Sequence, residues 1–300
     1  LLVCAILPLI KNKNGKHDDS GNYRGIGLSS LVLKIIDWVN LIIFDSELQS
    51  DTNQYGSQAN SSATLCSWTA IEVINYFQGR GSPIYACLLD YWKAFDLVNQ
   101  EKMFKLLIER KMDLLFIRLL IVIYSRQKCY VKWDGVMSYS FGATNGTRQG
   151  AIFSPRGGFC TYLDPLLNLL RKSGYGCSIG THFYGALAYC DDVILLALSV
   201  QSLQYLVNIC ENHAKDNDLM FSTDPDPTKS KTVCISFGEN KEKLAPITLN
   251  GDALPWKSRV KHIGTTIDEK TLLDRDIREK RGAFIDGCMN LNQELQFAKP

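Results

Sequence analysis

Two adjacent acids interrupt an otherwise apolar stretch, Ala188-Tyr189-Cys190-Asp191-Asp192-Val193-Ile194-Leu195-Leu196-Ala197. The apolar residues at 187–189 and 193–197 have the length and composition of short buried strands joined by a tight turn. Asp191 and Asp192 therefore fall at the tip of a predicted hairpin, where their like charges repel. A hard cation such as Mg²⁺ would neutralise them, although a solvated Asp-Asp turn would also produce this dipeptide.

A second acid ends a strand-like apolar run earlier in the chain, in Leu88-Leu89-Asp90-Tyr91-Trp92-Lys93-Ala94-Phe95-Asp96. Carboxylates at the ends of two rigid strands can share metal ions. The second stretch therefore favours a metal site over a solvated turn.

The order and spacing of three motifs resemble the reverse transcriptase of non-LTR (LINE-type) retrotransposons. Residues 90–96 resemble its motif A, Arg148-Gln149-Gly150 through Ser154-Pro155 resemble motif B, and Tyr189-Cys190-Asp191-Asp192 resembles motif C. The resemblance covers nearly the whole chain. It implies an α+β fold with a right-hand polymerase palm, in which helices cover an antiparallel sheet, plus fingers and the start of a thumb.

The same resemblance divides the chain into fingers (1–80), palm (81–265) and the start of a truncated thumb (266–300), with a helical fingers/palm insertion around 99–127. Apolar periodicity predicts helices over 30–48, 61–77, from 99, 113–124, 202–217 and 277–295. It predicts strands over 1–9, 83–89, 219–222 and 232–237, and a hairpin over 128–141 that turns at Asp134-Gly135. A further helix begins at Ser154-Pro155, and Gly157, Gly158 and Pro165 are expected to weaken it.

The resemblance assigns catalysis and metal binding to Asp90, Asp191 and Asp192. Two Mg²⁺ ions about 3.5–4 Å apart, with Mn²⁺ as an alternative, would activate a 3′-hydroxyl and stabilise the leaving pyrophosphate. Phosphoryl transfer needs mainly positioning and charge compensation from the protein. Asp96 is acidic and close by, but it is expected to be structural.

Two substrate contacts follow from motifs A and B. Phe95 lies five residues after Asp90 and matches the steric gate that blocks a ribose 2′-hydroxyl. Core packing is the alternative role for that ring. Gln149 and Gly150 match the pair that contacts the template and the incoming nucleotide.

Basic residues outside these motifs are expected to meet phosphate. Lys11 and Arg24 are the candidates for the incoming triphosphate, because ammonium and guanidinium groups offset phosphate charge. Either Lys229 or Lys231 could assist pyrophosphate departure, and the alignment does not separate them. Solvation of an exposed surface is the alternative role for each.

The composition is that of a globular protein, with 46% hydrophobic and 21% charged residues in 300 and a net charge of +2. Residues 101–150 contain nine Lys/Arg against four Asp/Glu, which could form a local surface for nucleic acid. The ten cysteines have no zinc-ligand spacing and are expected to be reduced, as in the nucleus or cytoplasm. No signal peptide or membrane-spanning segment is predicted.

The expected partners are an RNA template, a DNA primer and deoxynucleoside triphosphates, with the chain forming a piece of a longer polyprotein. One alternative is a degenerate, non-catalytic nucleic-acid-binding remnant of the same fold. Departures from the family's sequence pattern at Gly25, Ser57, Ala151 and Gly157-Gly158 favour this remnant. Retention of all three carboxylates favours the enzyme. A different two-metal enzyme, such as a nuclease, would not explain Phe95 and Gln149 in their places.

Overall fold

An antiparallel sheet forms from the apolar runs around the acidic positions. The computed structural model describes residues 2–13, 15–148, 150–224, 226–238, 244–270 and 272–297. The sheet contains β3 (Ile84–Asp90), β9 (Ala186–Tyr189), β10 (Asp192–Ala197) and β11 (Val233–Phe237), in the order β11-β3-β10-β9. These strands have near-continuous apolar sequences because both faces of the sheet are buried.

Alternate side chains of β3 point to two different cores. Tyr85, Cys87 and Leu89 join the larger core, which includes residues of helices α6 (Thr161–Lys172) and α7 (Val200–Asp216). Ile84, Ala86 and Leu88 join the second core with helix α2 (Ala63–Gln78). The sheet is therefore a middle layer, and packing from both sides keeps its strand ends in position.

A second sheet has the order β2-β1-β4-β5, with β6 also paired to β4. Its strands are β1 (Val3–Ile10), β2 (Tyr23–Leu28), β4 (Lys128–Trp133), β5 (Val136–Met137) and β6 (Phe141–Gly142). Strand β1 is antiparallel to β2 and parallel to β4. The hairpin predicted to turn at Asp134-Gly135 is confirmed, since both residues have positive φ (45° and 78°), as a two-residue turn of this type requires.

Short polar side chains begin most of the predicted helices. The remaining helices are α1 (Leu31–Ile43), α3 (Ala94–Leu97), α4 (Gln100–Glu109), α5 (Leu114–Arg126) and α8 (Asp274–Phe297). The side chains of Ser30, Ser62, Asn99, Asp113 and Ser199 accept hydrogen bonds from backbone amides in the first turns of α1, α2, α4, α5 and α7. These caps explain why the predicted helix starts agree with the structure to within about two residues.

Several short hairpins complete the described secondary structure. They pair β7 (Ser178–Ile179) with β8 (His182–Phe183), β12 (Ile247–Leu249) with β13 (Asp252–Leu254), and β14 (Arg259–His262) with β15 (Thr265–Asp268). Within the described ranges, no helix has both the length and the apolar character needed to cross a bilayer.

Two predictions of local structure were wrong. Helix α1 ends at Ile43 rather than at residue 48, and residues 219–222 contribute only an isolated bridge between Tyr91 and Phe221. The helix predicted to begin at Ser154-Pro155 is confirmed, as a π-helical stretch over 154–160 that continues as α6 through Pro165. Packing therefore maintains a helix that local propensity disfavours.

Gly157 belongs to that π-helical stretch and is required by close packing. A Cβ atom at this position would lie 2.1 Å from the ring of Phe153, which is fully buried. The glycine that suggested decay in the sequence instead makes room for an aromatic side chain of the core.

Candidate active site

The turn that carries the paired acids contains two residues. Tyr189 is opposite Asp192 in the β9–β10 pairing, so only Cys190 and Asp191 lie between the strands. Cys190 has a φ of 54°, in the left-handed region that two-residue hairpin turns use. The predicted hairpin is confirmed, with Asp191 in the turn and Asp192 as the first residue of β10.

The third acid lies on the neighbouring strand. Asp90 is the last residue of β3 and the register partner of Asp192 on β10. Its backbone N–H donates to Thr232 Oγ1 at 3.3 Å, and its carbonyl accepts from the N–H of Ser222 at 2.7 Å. The structure thus brings all three predicted acids to one end of the central sheet.

Burial and mutual repulsion shift the pKa of the paired acids. The pKa of Asp192 is raised to about 6, first by burial and then by the charges of Asp191 and Asp90, while Lys231 opposes the shift. The pKa of Asp191 is also raised, chiefly by burial and then by Asp90, and the positive charges of Arg24 and Lys231 oppose this. Burial and mutual repulsion therefore both disfavour the charged forms of Asp191 and Asp192.

The chemistry of these side chains fits a divalent cation. Carboxylate oxygens are the ligands that Mg²⁺ prefers, and a cation would relieve the repulsion that raises these pKa values. The arrangement is not that of a preformed metal site, since in the described part of the chain no group of three or more His, Cys, Asp or Glu side chains is placed to hold an ion.

A cavity of about 310 Å³ lies beside Asp90 and Asp192, and its lining is basic. The cations that line it are Lys231, Lys257, Arg259 and Lys261. Basic side chains next to an acidic cluster provide an environment for a polyanion that binds together with cations. Sequence analysis assigned no role to Lys257 or Arg259, which lie beside and on β14.

The structure separates the two lysines between which the sequence could not choose. Lys231 Nζ lies 3.8 Å from Asp90 Oδ2 and lines the cavity. Lys229 Nζ instead pairs with Asp226 Oδ2, three residues earlier, at 3.3 Å. Only Lys231 of the two contacts the acidic cluster.

The two predicted triphosphate contacts lie in and beside the second sheet. Arg24 is an exposed residue of β2, close enough for its charge to lower the pKa of Asp191 against the effect of burial. Lys11 follows the end of β1, and its ammonium donates to the carbonyl of Gly21 at 3.1 Å. Of these two residues, Arg24 is the one whose charge acts on Asp191.

Phe95 is half-buried, so its ring both packs in the core and reaches the surface. Its ring centroid lies 4.9 Å from that of Phe159, and its carbonyl accepts from the N–H of Thr147 at 2.7 Å. Asp96, the next residue, is exposed in the first turn of α3. Asp96 does not line the cavity, consistent with the structural role expected for it.

The motif B loop, residues 148–153, is packed against the N-terminal part of the chain. Gly150 has a φ of 94°, and a Cβ atom there would lie 2.3 Å from the carbonyl oxygen of Gly27. Only glycine fits this approach. Gln149, the other predicted contact of this motif, lies outside the described residues.

The sequence analysis did not predict a buried ion pair that lies beside this loop. Arg148 Nη2 donates to Asp37 Oδ1 at 2.8 Å, and the two side chains are 8% and 1% exposed. Asp37 Oδ2 also accepts from the N–H of Phe153 at 3.5 Å, so one carboxylate contacts both ends of the loop. A single acid within the apolar helix α1 was the only signal of this contact in the sequence.

The chain is similar to known proteins in both sequence and structure. A sequence model described as "Reverse transcriptase (RNA-dependent DNA polymerase)" matches residues 10–267. The chain is also 29% identical over 161 residues to the retrovirus-related Pol polyprotein from type-1 retrotransposable element R2 of Nasonia vitripennis. That alignment covers 54% of this chain but only 15% of the relative, so the chain corresponds to a small part of that polyprotein.

Solved structures show the same fold at low sequence identity. A telomerase of Candida tropicalis, without ligand and truncated from its C-terminal domain, superposes with a TM-score of 0.57 at 14% identity, covering 90% of this chain and 54% of that one. The telomerase of the same organism in complex with the TWJ fragment of telomeric RNA gives 0.57 at 13% identity, covering 90% and 44%. Such low identities establish a right-hand polymerase fold and nothing more specific.

Proposed function

The chain belongs to the reverse transcriptase (RNA-dependent DNA polymerase) family, and we propose that it catalyses RNA-templated DNA synthesis by nucleotidyl transfer. One observation carries the proposal: Asp90 and Asp192 are register partners on two buried strands, and Asp191 occupies the adjoining turn. Three carboxylates at one rigid sheet end are the ligands that two-metal phosphoryl transfer requires.

In this proposal Asp90, Asp191 and Asp192 hold the divalent ions, for which Mg²⁺ is the first choice and Mn²⁺ the alternative. Bound ions of this kind activate the primer 3′-hydroxyl and stabilise the leaving pyrophosphate. Lys231 is the lysine that assists pyrophosphate departure, because its ammonium already faces the acidic cluster. Lys229 would remain with Asp226.

The remaining residues would position the substrates. Arg24 and Lys11 would meet the triphosphate, and Phe95 would exclude a ribose 2′-hydroxyl from its half-buried position. Gly150, held against the backbone of β2, would place Gln149 against the template and the nucleotide. Placement matters because an error of about 1 Å can cost about a hundredfold in rate.

The partners in this proposal are an RNA template, a DNA primer and deoxynucleoside triphosphates. Residues 1–80 would form fingers, 81–265 the palm with its helical insertion around 99–127, and 266–300 the start of a thumb. The chain would act inside a longer polyprotein, in the nucleus or cytoplasm. Non-LTR retrotransposon elements are the expected source, by analogy with the R2 relative.

The test is single-nucleotide incorporation by the purified 300-residue chain on an RNA template with a DNA primer. Asp90→Asn and Asp192→Asn should each abolish Mg²⁺-dependent incorporation while preserving side-chain shape. Asp96→Asn is the matched control. It removes an exposed carboxylate six residues after Asp90 and should leave incorporation near wild type. Inactive wild-type chain that still binds primer–template would indicate a non-catalytic remnant instead.

A further inference from the structure

Residues 53–57 form a segment that extends the central sheet beyond β9. Gln54 bridges Ala188 in parallel register, and the N–H of Tyr55 donates to the carbonyl of Ala188 at 2.7 Å. The N–H of Ala188 in turn donates to the carbonyl of Asn53 at 2.8 Å. The segment therefore runs along β9 toward the turn that carries Asp191.

The side chain of Gln54 reaches the backbone of that turn. Its Oε1 accepts from the N–H of Cys190 at 2.9 Å and from the N–H of Gly56 at 2.8 Å. Gln54 is only 2% exposed, so water does not compete for these contacts. A single buried oxygen thus fixes the Tyr189–Cys190 peptide, where the chain enters the turn.

The backbone of Cys190 has a conformation that needs support from the surrounding structure. Cys190 has a φ of 54°, which disfavours residues other than glycine. The backbone is also confined on one side, because a Cβ atom at Gly56 would lie 2.3 Å from Cys190 N. Backbone in such a conformation persists only where the surrounding structure determines it.

We propose that Gln54 is a positioning residue for the active site, whose amide oxygen holds the Cys190–Asp191 turn in the conformation that presents Asp191 and Asp192. This proposal rests on the function proposed above for those two acids. The side chain of Gln54 is directed into the protein and contacts the turn. Gln54 acts through the backbone and touches no reacting atom.

The experiment compares Gln54→Met, Gln54→Glu and Gln49→Met in the 300-residue chain. Methionine keeps the length and much of the volume of glutamine but lacks the strong oxygen acceptor. A glutamate side chain retains an acceptor oxygen whether ionised or protonated. Gln49 is the matched control, because its exposed side chain donates to the carbonyl and to a carboxylate oxygen of the nearby Asp45, away from the turn.

The first measurement is hydrogen exchange at single-residue resolution. In Gln54→Met the amide of Cys190 should exchange at least about tenfold faster, since its acceptor is gone. The amide of Ala188 should keep its protection, because its acceptor is the carbonyl of Asn53. Gln54→Glu and Gln49→Met should both retain slow exchange at Cys190.

The second measurement is single-nucleotide incorporation as a function of Mg²⁺ concentration. Gln54→Met should lower the maximal rate by about a hundredfold, as expected for catalytic groups displaced by about 1 Å, and should raise the half-saturating Mg²⁺ concentration. Gln49→Met should match wild type. Circular dichroism and thermal unfolding verify that each variant is folded.

Unchanged Cys190 exchange in folded Gln54→Met would overturn the proposal. Equal acceleration in Gln54→Met and Gln54→Glu would overturn it too, because the acceptor oxygen would then be irrelevant. If wild-type chain incorporates no nucleotide, the proposed polymerase function fails, yet the exchange measurement still decides whether Gln54 holds the turn.

Discussion

Replacing Asp37 by alanine should destabilise the protein by about 3–5 kcal/mol, because a buried guanidinium would lose its counter-ion. Arg148 is 8% exposed, and its Nη2 lies 2.8 Å from Asp37 Oδ1. Two other nitrogens of the guanidinium, Nε and Nη1, have no hydrogen-bond partner among the residues that the structure describes, so the carboxylate carries most of the compensation. The ring of Tyr124, 5.4 Å from the guanidinium carbon, would offset only a small part of the loss.

The magnitude depends on burial, so an exposed pair provides the control. Lys105 and Glu101 lie 2.8 Å apart on α4, but their side chains are 65% and 78% exposed. Water and salt screen such a pair, and Glu101→Ala should leave the free energy of unfolding almost unchanged. Two ion pairs of equal length should therefore give very different results.

The assay is equilibrium unfolding in urea, with the free energy extrapolated to zero denaturant. The double variant Asp37→Leu/Arg148→Met should recover most of the stability that Asp37→Ala loses, since it buries two apolar side chains and leaves no charge unpaired. A loss from Asp37→Ala no larger than that from Glu101→Ala would refute this reasoning. A double variant as unstable as the single one would show that shape, not charge, is what the site requires.

Further predictions concern packing, sugar selection, charge and pH. Gly157→Ala should destabilise by about 1–3 kcal/mol in urea unfolding, because the new methyl group meets the buried ring of Phe153; equal stability would mean that the ring can move aside. Phe95→Ala should admit ribonucleotides about 10- to 100-fold better in single-nucleotide incorporation with the metal response intact, whereas unchanged discrimination would limit Phe95 to the core. Lys231→Ala should slow incorporation more than Lys229→Ala, and equal rates would argue against its assignment. Burial lowers the pKa of His213 to about 4, so the unfolded chain binds a proton at this histidine more readily than the folded chain does. The stability that the neutral histidine contributes is therefore fully present above pH 6.5 and is lost as the pH falls toward 4. The loss should reach about 2 kcal/mol by about pH 5 and be absent from His213→Leu, measured as the difference between the two unfolding curves; parallel curves would contradict it.

Short-range patterns in the sequence were sufficient for the elements of the site. Apolar runs ending in acids predicted β3 and the β9–β10 hairpin, and the resemblance identified Asp90, Asp191 and Asp192 as the acids of interest. Apolar periodicity predicted most helices, and Ser and Asn side chains at several helix starts bond to backbone amides within the next turn. These signals involve residues close together in the chain, where spacing alone specifies the contact.

Tertiary structure decided how those elements meet. The register that sets Asp90 opposite Asp192 depends on burial of both sheet faces, and the choice of Lys231 over Lys229 depends on where the chain returns beside β3. Gln54 and Cys190 are 136 residues apart, a separation at which no periodicity specifies a pairing. Sequence thus determined the chemistry available at each strand end, whereas packing of distant segments determined which groups touch, because desolvation and contact distance exist only in the folded chain.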